Sequence, residues 1–216
     1  MNITSKRLKI VKNQRPIIPN LISVASGKGG VGKTWFSATL AHAMAFKGKR
    51  VLLFDGDLGL ANIDVQLGLT PQVDLANVIS GQVPFSEAVT PFEGGASSII
   101  DDGTPEAVRR TAGFDVLAGR SGSGTLGSLS RNQLGDLAHS LKGIAEDYDY
   151  VICDLAAGID NACKILRTPS GKSYVVLPDE PTSLTDAYAD ITVMAMRDPD
   201  IPSAIAVNMI DDTAVG

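Results

Sequence analysis

One glycine-rich octapeptide near the start of this 216-residue chain constrains its fold more than any other feature. Residues 27–34 match the pattern G-x-x-x-x-G-K-[ST], which predicts a loop whose backbone N–H groups surround a phosphate. The octapeptide reads Gly27, Lys28, Gly29, Gly30, Val31, Gly32, Lys33 and Thr34. By the usual roles of such a loop, Lys33 contacts the outer phosphates of a nucleotide and the Thr34 hydroxyl is a ligand of Mg²⁺.

The flanking segments have the pattern that this loop requires. Residues 21–26 form an apolar run of strand length, and apolar side chains recur at helical spacing in residues 34–45. A strand, a glycine loop and a helix in this order are the context that confirms the motif. The glycines let the backbone turn around an anion, and the helix N-terminus adds N–H donors. A chance glycine-rich turn is therefore the weaker interpretation.

Strands and helices alternate along the rest of the chain. Further strands are predicted over residues 49–55, 114–118, 148–154, 173–177 and 204–208. Helices are predicted over 132–146 and from about 183 to just before Pro199. The connections are predicted as a loop with a short helix over 71–86, a loop with one helical turn after Pro105 over 91–113, and a Gly/Ser loop over 119–130. This order predicts an α/β fold with a mostly parallel sheet flanked by helices.

Three aspartates stand at the ends of predicted strands. Asp55 and Asp57 follow the second strand, and Asp154 ends the fourth. Ligands of open α/β sheets bind beyond the carboxyl ends of the strands. Asp154 has the position of the carboxylate that organises Mg²⁺ in phosphate-loop proteins. Asp55 and Asp57 are placed to order water around the metal and to orient an attacking water, although a simple acidic turn stays an open alternative.

The distribution of charge divides the chain into a tail and a body. The first twenty residues hold five basic and no acidic residues, so the remainder carries a net charge of −10. Residues 1–20 are predicted to be a flexible basic tail, and residues 21–216 are predicted to form a single domain. A basic tail can also bind a membrane surface, a nucleic acid or an acidic partner. The acidic body argues against nonspecific binding to nucleic acid.

Other features exclude several classes of function. No run of residues reaches the roughly 20 apolar positions of a membrane span, and the N-terminus lacks the apolar core of a secretion signal. Cys153 and Cys163 form no C-x-x-C pair, and Cys153 lies in a predicted buried strand, which favours an inert packed thiol at that position. His42 and His139 fall in predicted helices and are interpreted as packing or surface residues.

Four segments together resemble the MinD/ParA family of deviant Walker A ATPases. The octapeptide has a second lysine, Lys28, directly after its first glycine, and residues 55–64 (DGDLGLANID) and 153–159 (CDLAAGI) follow the family pattern. Residues 179–188 (DEPTSLTDAY) are similar to a stretch of the FlhG branch, also called FleN or YlxH, which controls flagellar number and placement. The resemblance runs from about Leu21 to the C-terminal end and implies a P-loop NTPase fold of the SIMIBI type.

The resemblance implies roles in catalysis and nucleotide binding. Lys28 would cross the interface of an ATP-dependent homodimer and contact the phosphates of the partner's nucleotide. Lys33 would hold the phosphates in its own subunit, Asp57 would activate the attacking water, and Asn208 would read the adenine edge.

The resemblance also implies a metal site and two switches. Asp55, Asp154 and Thr34 would organise Mg²⁺. The first switch would include Asn62, and the second would include Ala157 and Gly158.

The function implied by this resemblance is slow ATP hydrolysis with Mg²⁺, in the cytoplasm or at the inner face of the bacterial membrane. A flagellar GTPase such as FlhF, or another flagellar protein, is the implied partner. Two alternatives stay open, namely a MinD-type or ParA-type positioning ATPase and a nucleotide-binding scaffold without useful turnover.

The chain departs from the family pattern in three ways. It stops at Gly216, short of the family length and without the usual membrane-targeting helix. ATP hydrolysis and membrane binding are therefore both expected to be impaired. The glutamine-containing activator motif of some FlhG proteins is not evident in residues 1–20. Ala156 stands in the second switch where relatives often have Gly or Pro.

Overall fold

A seven-stranded sheet forms the centre of the fold. The computed structural model describes residues 17–93, 97–99, 109–111, 113–119, 129–158 and 160–210, with backbone alone for 97–99 and 109–111. The strands are β1 Ile18–Ser26, β2 Val51–Gly56, β3 Val89–Phe92, β4 Ser97–Ile99, β5 Arg109–Thr111, β6 Phe114–Leu117, β7 Tyr150–Ala157, β8 Ser170–Pro178 and β9 Ser203–Asn208. The order in the sheet is β3-β6-β2-β7-β1-β8-β9, while β4 and β5 pair separately as an antiparallel ladder.

All neighbouring strands of the large sheet are parallel except β3, which runs antiparallel to β6 at one edge. The prediction of a mostly parallel, helix-flanked sheet is therefore confirmed. The carboxyl ends of β2, β7 and β1 are neighbours in this order, so the loops that follow them share one edge of the sheet.

Helices cover both faces of the sheet. They are α1 Lys33–Phe46, α2 Ile63–Leu67, α3 Leu75–Ile79, α4 Arg131–Ala145, α5 Asn161–Arg167 and α6 Pro181–Arg197, with a short 3-10 helix over Phe85–Glu87. Successive strand residues alternate between the faces, as Leu52 and Leu53 illustrate. Leu52 packs in the core beneath α3, α4 and α5, whereas Leu53 packs in the core beneath α1.

The sequence places most of these elements correctly, but it misjudges residues 91–113 and misses two short helices. Residues 91–113 are not simply a loop, since β3 extends to Phe92 and β4 pairs with β5 inside this segment. Such pairs join residues distant in sequence, which local patterns do not reveal. The helical turn expected after Pro105 lies outside the described residues, and helices α2 and α5 were not predicted.

The N-terminal boundary also differs from the expectation. Strand β1 begins at Ile18, inside the segment predicted as tail, and the Ile18 N–H donates to the Pro169 carbonyl at 2.7 Å. The remainder of the predicted tail, residues 1–16, and residues 120–128 of the predicted Gly/Ser loop lie outside the described residues. Among the described helices, none combines the length and the apolar character that crossing a membrane requires.

A buried ion pair joins α5 to α6 beneath the sheet. Arg167 Nη1 donates to both carboxylate oxygens of Asp190 at 2.9 and 2.7 Å, and both side chains are almost fully buried. Arg167 Nε donates to Ser173 Oγ on β8 at 2.8 Å, and Ser23 Oγ on β1 donates to the same oxygen at 3.0 Å. The network therefore connects two helices to two strands of the sheet.

Candidate nucleotide-binding site

The glycine loop connects the central strand to the first helix. Strand β1 ends at Ser26 and α1 begins at Lys33, with Gly32 as the residue before the helix at φ 87° and ψ 22°. This left-handed conformation favours glycine. A Cβ on Gly32 would also collide with the Asn208 side-chain amide. Because Gly32 has no side chain to cap α1, the first N–H groups of the helix stay available to an anion.

Close packing also explains the first glycine of the motif. A Cβ on Gly27 would lie 2.6 Å from the Cβ of Asp186 on α6, which is too close for any side chain. The loop is fixed further by Ser26 Oγ, which donates to the Lys28 carbonyl at 2.6 Å. Contacts with α6 and with the end of β1 thus constrain the conformation of the loop.

A cleft of about 620 Å³ opens between the glycine loop and the loop that follows β2. Of the predicted site residues, those that line it are Gly29, Gly30, Gly32, Lys33, Thr34, Asp57, Asn62 and Ala157. Further lining residues, for which the sequence predicted no role, include Trp35, Leu60, Gln66 and Asp160. The cleft therefore brings together phosphate-binding groups and the carboxylate predicted to activate water.

Two buried carboxylates lie side by side beneath this cleft. Asp55 on β2 and Asp154 on β7 are register partners in adjacent parallel strands, and both are nearly inaccessible to solvent. Burial and, to a smaller extent, the neighbouring charge of Asp154 raise the pKa of Asp55 to about 7, against the opposing effect of its backbone hydrogen bonds. Burial also raises the pKa of Asp154 to about 6, against the opposing effect of its hydrogen bonds and of Lys33. The pair concentrates negative charge where little water screens it.

The helix α1 supplies the partners of Asp154. The Thr34 hydroxyl forms a hydrogen bond with this carboxylate, and Ser37 Oγ donates to its Oδ1 at 3.0 Å. Ser37 was not identified from the sequence, although it follows Lys33 by one helical turn on the buried face of α1. Its hydroxyl fixes the orientation of Asp154 toward the loop.

The donor set fits a magnesium ion held partly through water. Mg²⁺ prefers carboxylate, hydroxyl and water oxygens, and in nucleotide sites it is bound by one or two protein groups plus phosphates. Asp55, Asp154 and Thr34 offer such oxygens next to the phosphate loop. A divalent cation would also stabilise the charged forms of the two aspartates, which burial disfavours.

Asp55 additionally holds the loop that follows β2. Its Oδ1 accepts from the Asp57 N–H at 3.2 Å, and its Oδ2 accepts from the N–H groups of Asn62 at 3.0 Å and Ile63 at 3.1 Å. Asp57 Oδ1 accepts from the Leu60 N–H at 2.9 Å. The predicted first switch is therefore anchored by two aspartates.

Lys28 pairs with an acid that the sequence did not assign to the site. Its Nζ lies 3.3 Å from Glu180 Oε2, and both side chains are about half exposed. The contact follows from the strand order, because β8 neighbours β1 and Glu180 lies in the short connection between β8 and α6. An ion pair so exposed contributes at most about 1 kcal/mol, so another anion can replace Glu180 at little cost.

The remaining predicted residues contact the glycine loop or the strand before it. Asn208 Nδ2 donates to the Val31 carbonyl at 3.0 Å, which fixes the edge strand β9 to the loop. The Gly158 N–H donates to the Ser26 carbonyl at 2.8 Å, and Gly158 has a φ of 91°. The adenine-reading role of Asn208 and the switch role of Gly158 stay predictions.

We expect the two aspartates to destabilise the nucleotide-free protein as pH rises. Their folded-state pKa values of about 7 and about 6 exceed the ordinary 3.8, so the folded state binds more protons between about pH 4 and 7. The free energy of unfolding therefore falls through this range, by at most about 1.4 kcal/mol per pH unit for each carboxylate. Asp55→Asn removes one of these contributions.

The measurement is denaturant unfolding of wild type and Asp55→Asn at pH 5, 6, 7 and 8 with magnesium chelated. The variant should gain stability relative to wild type as pH rises. A constant difference across the series would contradict the raised pKa.

A phosphate loop at the carboxyl edge of a parallel sheet, with paired aspartates beneath it, defines a P-loop nucleotide-binding domain. Residues 22–177 match the model of the CobQ/CobB/MinD/ParA nucleotide binding domain. The chain therefore belongs to the CobQ/CobB/MinD/ParA family.

Two curated relatives are similar to most of the chain. The antiactivator FleN of Pseudomonas aeruginosa is 36% identical over 187 residues, which cover 87% of this chain and 60% of FleN. The flagellum site-determining protein YlxH of Helicobacter pylori is 29% identical over 188 residues, which cover 85% of this chain and 58% of YlxH. The predicted resemblance to the MinD/ParA family and to its FlhG branch is confirmed. This chain spans less than two thirds of the length of either relative.

A solved structure supports the fold and the family. The MinC:MinD cell division protein complex of Aquifex aeolicus includes a chain with a TM-score of 0.68 and 28% sequence identity. The match covers 89% of this chain and 69% of that one.

Proposed function

We propose that this domain is a MinD-like ATPase that dimerises on binding Mg-ATP, hydrolyses it slowly and regulates flagellar number or placement. The observation that carries the proposal is the cleft in which the phosphate loop faces Asp57, with half-exposed Lys28 beside it. The likeness to FleN and YlxH favours the flagellar role. Such a role is compatible with a cytoplasmic protein or with one bound at the inner face of the membrane.

The chemistry follows from the charges around the cleft. The glycine loop, Lys33 and the N-terminus of α1 supply positive potential for the phosphates. When Mg²⁺ is bound it neutralises charge that develops on the transferred phosphoryl group. Asp57 orients water for attack, and Lys28 leaves Glu180 to contact the nucleotide of a second subunit. A flagellar GTPase of the FlhF type, or another flagellar protein, is the proposed partner.

A positioning ATPase of the MinD type is the second candidate. The Aquifex aeolicus MinD in complex with MinC shares the fold over most of this chain, which favours it. The stretch from Glu180 to Ser183 favours the flagellar branch instead. A nucleotide-binding scaffold without turnover is the non-enzymatic alternative.

The oligomeric state of Asp57→Ala tests the switch. Removing the water-orienting carboxylate should prevent hydrolysis and preserve the ATP-bound form. We expect light scattering after gel filtration to give a dimer with Mg-ATP and a monomer with Mg-ADP. Lys33→Ala, which lacks the phosphate-binding lysine, should stay monomeric with both nucleotides.

Two other results would change the conclusion. A monomer in both nucleotides, with Mg-ATP binding verified by calorimetry, would favour the scaffold. No Mg-ATP binding by the wild-type chain would contradict the nucleotide-dependent function altogether.

A further inference from the structure

We propose that Trp35 and Leu60 form an apolar clasp that closes over bound nucleotide and positions Asp57. Both side chains line the cleft and come from the two segments that border it, Trp35 from the first turn of α1 and Leu60 from the loop after β2. Each is largely exposed, Trp35 by 61% and Leu60 by 76%. The clasp rests on the proposed function, because it closes only on a nucleotide in the cleft.

The exposure of Trp35 is unusual for its residue type and position. Tryptophan is highly buried on average in folded proteins. On the same helix Lys33 and Ser37 are buried, and Phe36 packs against Tyr174 with ring centroids 5.6 Å apart. Trp35 instead lines the nucleotide cleft and stays largely exposed. A large apolar side chain placed there gains most if another apolar group covers it after the ligand enters.

Leu60 is the group placed to cover it. Its loop is held at both ends by one carboxylate, since Asp55 accepts from the N–H groups of Asp57, Asn62 and Ile63. Between these anchors Leu60 extends into the cleft from a short segment that includes Gly59. A short loop held at its ends has the geometry from which loops close over a bound ligand.

A direct hydrogen bond links Leu60 to the catalytic carboxylate. The Leu60 N–H donates to Asp57 Oδ1 at 2.9 Å. Because of this bond, a shift of Leu60 toward Trp35 would also move the Asp57 carboxylate. Closure would place Asp57 against the phosphates and exclude bulk water from the cleft. Trp35 is therefore a positioning residue, and it acts on Asp57 through Leu60.

The fluorescence of Trp35 tests the clasp directly, because it is the only tryptophan of the chain. Acrylamide quenching is measured with magnesium, in the presence and absence of a non-hydrolysable ATP analogue. In wild type the analogue should lower the quenching constant about twofold or more, because over half of the indole is exposed beforehand. Leu60→Ala should abolish this protection. Val65→Ala is the matched control, since Val65 is 70% exposed on α2 and should leave the protection intact.

Turnover provides the second readout. Trp35→Ala and Leu60→Ala should each lower kcat by about ten- to hundredfold, because Asp57 is misplaced, with the affinity for ATP little changed. The double variant should be no slower than either single variant, since both remove the same contact. Trp35→Phe should retain most of the rate because it keeps an aromatic surface.

Three outcomes would overturn the clasp. The first is an indole that stays equally quenchable although calorimetry shows that the analogue binds. The second is protection that persists in Leu60→Ala. The third is protection found only in samples that light scattering shows to be dimeric, which would place a second copy over Trp35. Absence of any Lys33-dependent nucleotide binding would instead contradict the proposed function itself.

Discussion

Lys28→Ala is expected to lower ATP turnover by about 10³-fold or more, while leaving nucleotide binding to the single chain nearly unchanged. A cation supplied to the transferred phosphoryl group from a second subunit has an effect of this size in other nucleotide hydrolases. In the structure Lys28 is half exposed and pairs with Glu180, a contact too weak to hold it against phosphate. Its contribution is therefore expected in the transition state of the dimer, and not in the binding of nucleotide by one chain.

Phosphate release measures the turnover, and calorimetry with Mg-ADP measures the binding. Lys47→Ala is the matched control, because it removes an exposed lysine just beyond the other end of α1. Equal loss of ADP affinity and turnover in Lys28→Ala would place Lys28 in its own subunit's binding site. Unchanged turnover would contradict the proposal that Lys28 reaches the nucleotide of a second subunit.

Asp190→Ala should lower the free energy of unfolding by about 3–5 kcal/mol, because it leaves a buried guanidinium without its counter-charge. Arg167 is almost fully buried, and Asp190 accepts two of its hydrogen bonds. Within the described part of the chain, Arg167 Nη2 has no hydrogen-bond partner, so no second acid replaces the lost one. Denaturant unfolding at neutral pH measures the change.

Two further variants test whether the loss comes from the unpaired charge of Arg167 or from a general effect on α6. Tyr188→Ala, on the exposed side of the same helix, should change the free energy of unfolding by less than about 0.5 kcal/mol. Replacing both Arg167 and Asp190 by Leu should recover most of the loss, because no unpaired charge stays buried. If Asp190→Ala lowered the free energy of unfolding by less than about 1 kcal/mol, the result would contradict the isolation of this pair from water.

Local patterns were sufficient to predict the parts of the site that are continuous in sequence. The octapeptide and the apolar strands that end in Asp55 and Asp154 each depend on neighbouring residues, so the strand–loop–helix unit was predicted correctly. The resemblance to a family then assigned a role to Lys28 that its spacing alone does not show.

Local sequence patterns could not predict contacts between segments that are distant in sequence. The pair of Lys28 with Glu180 depends on β8 lying beside β1, and the bond from Ser37 to Asp154 depends on α1 crossing β7. The antiparallel edge strand β3 contains Pro91, a residue that disfavours strands except at edges. Its place at the edge follows from the strand order, which no single segment encodes.

The position of Asp55 has a consequence for the short helix α2. Asn62 precedes this helix, but its side chain accepts from Gln66 at 3.5 Å and does not cap the helix. Asp55 at the end of β2 accepts the N–H groups of Asn62 and Ile63 in its place. A cation bound at Asp55, directly or through water, would compete with those N–H groups for the same carboxylate oxygens. Binding of the cation would then lower the order at the start of α2, and order there would weaken cation binding by the same free energy.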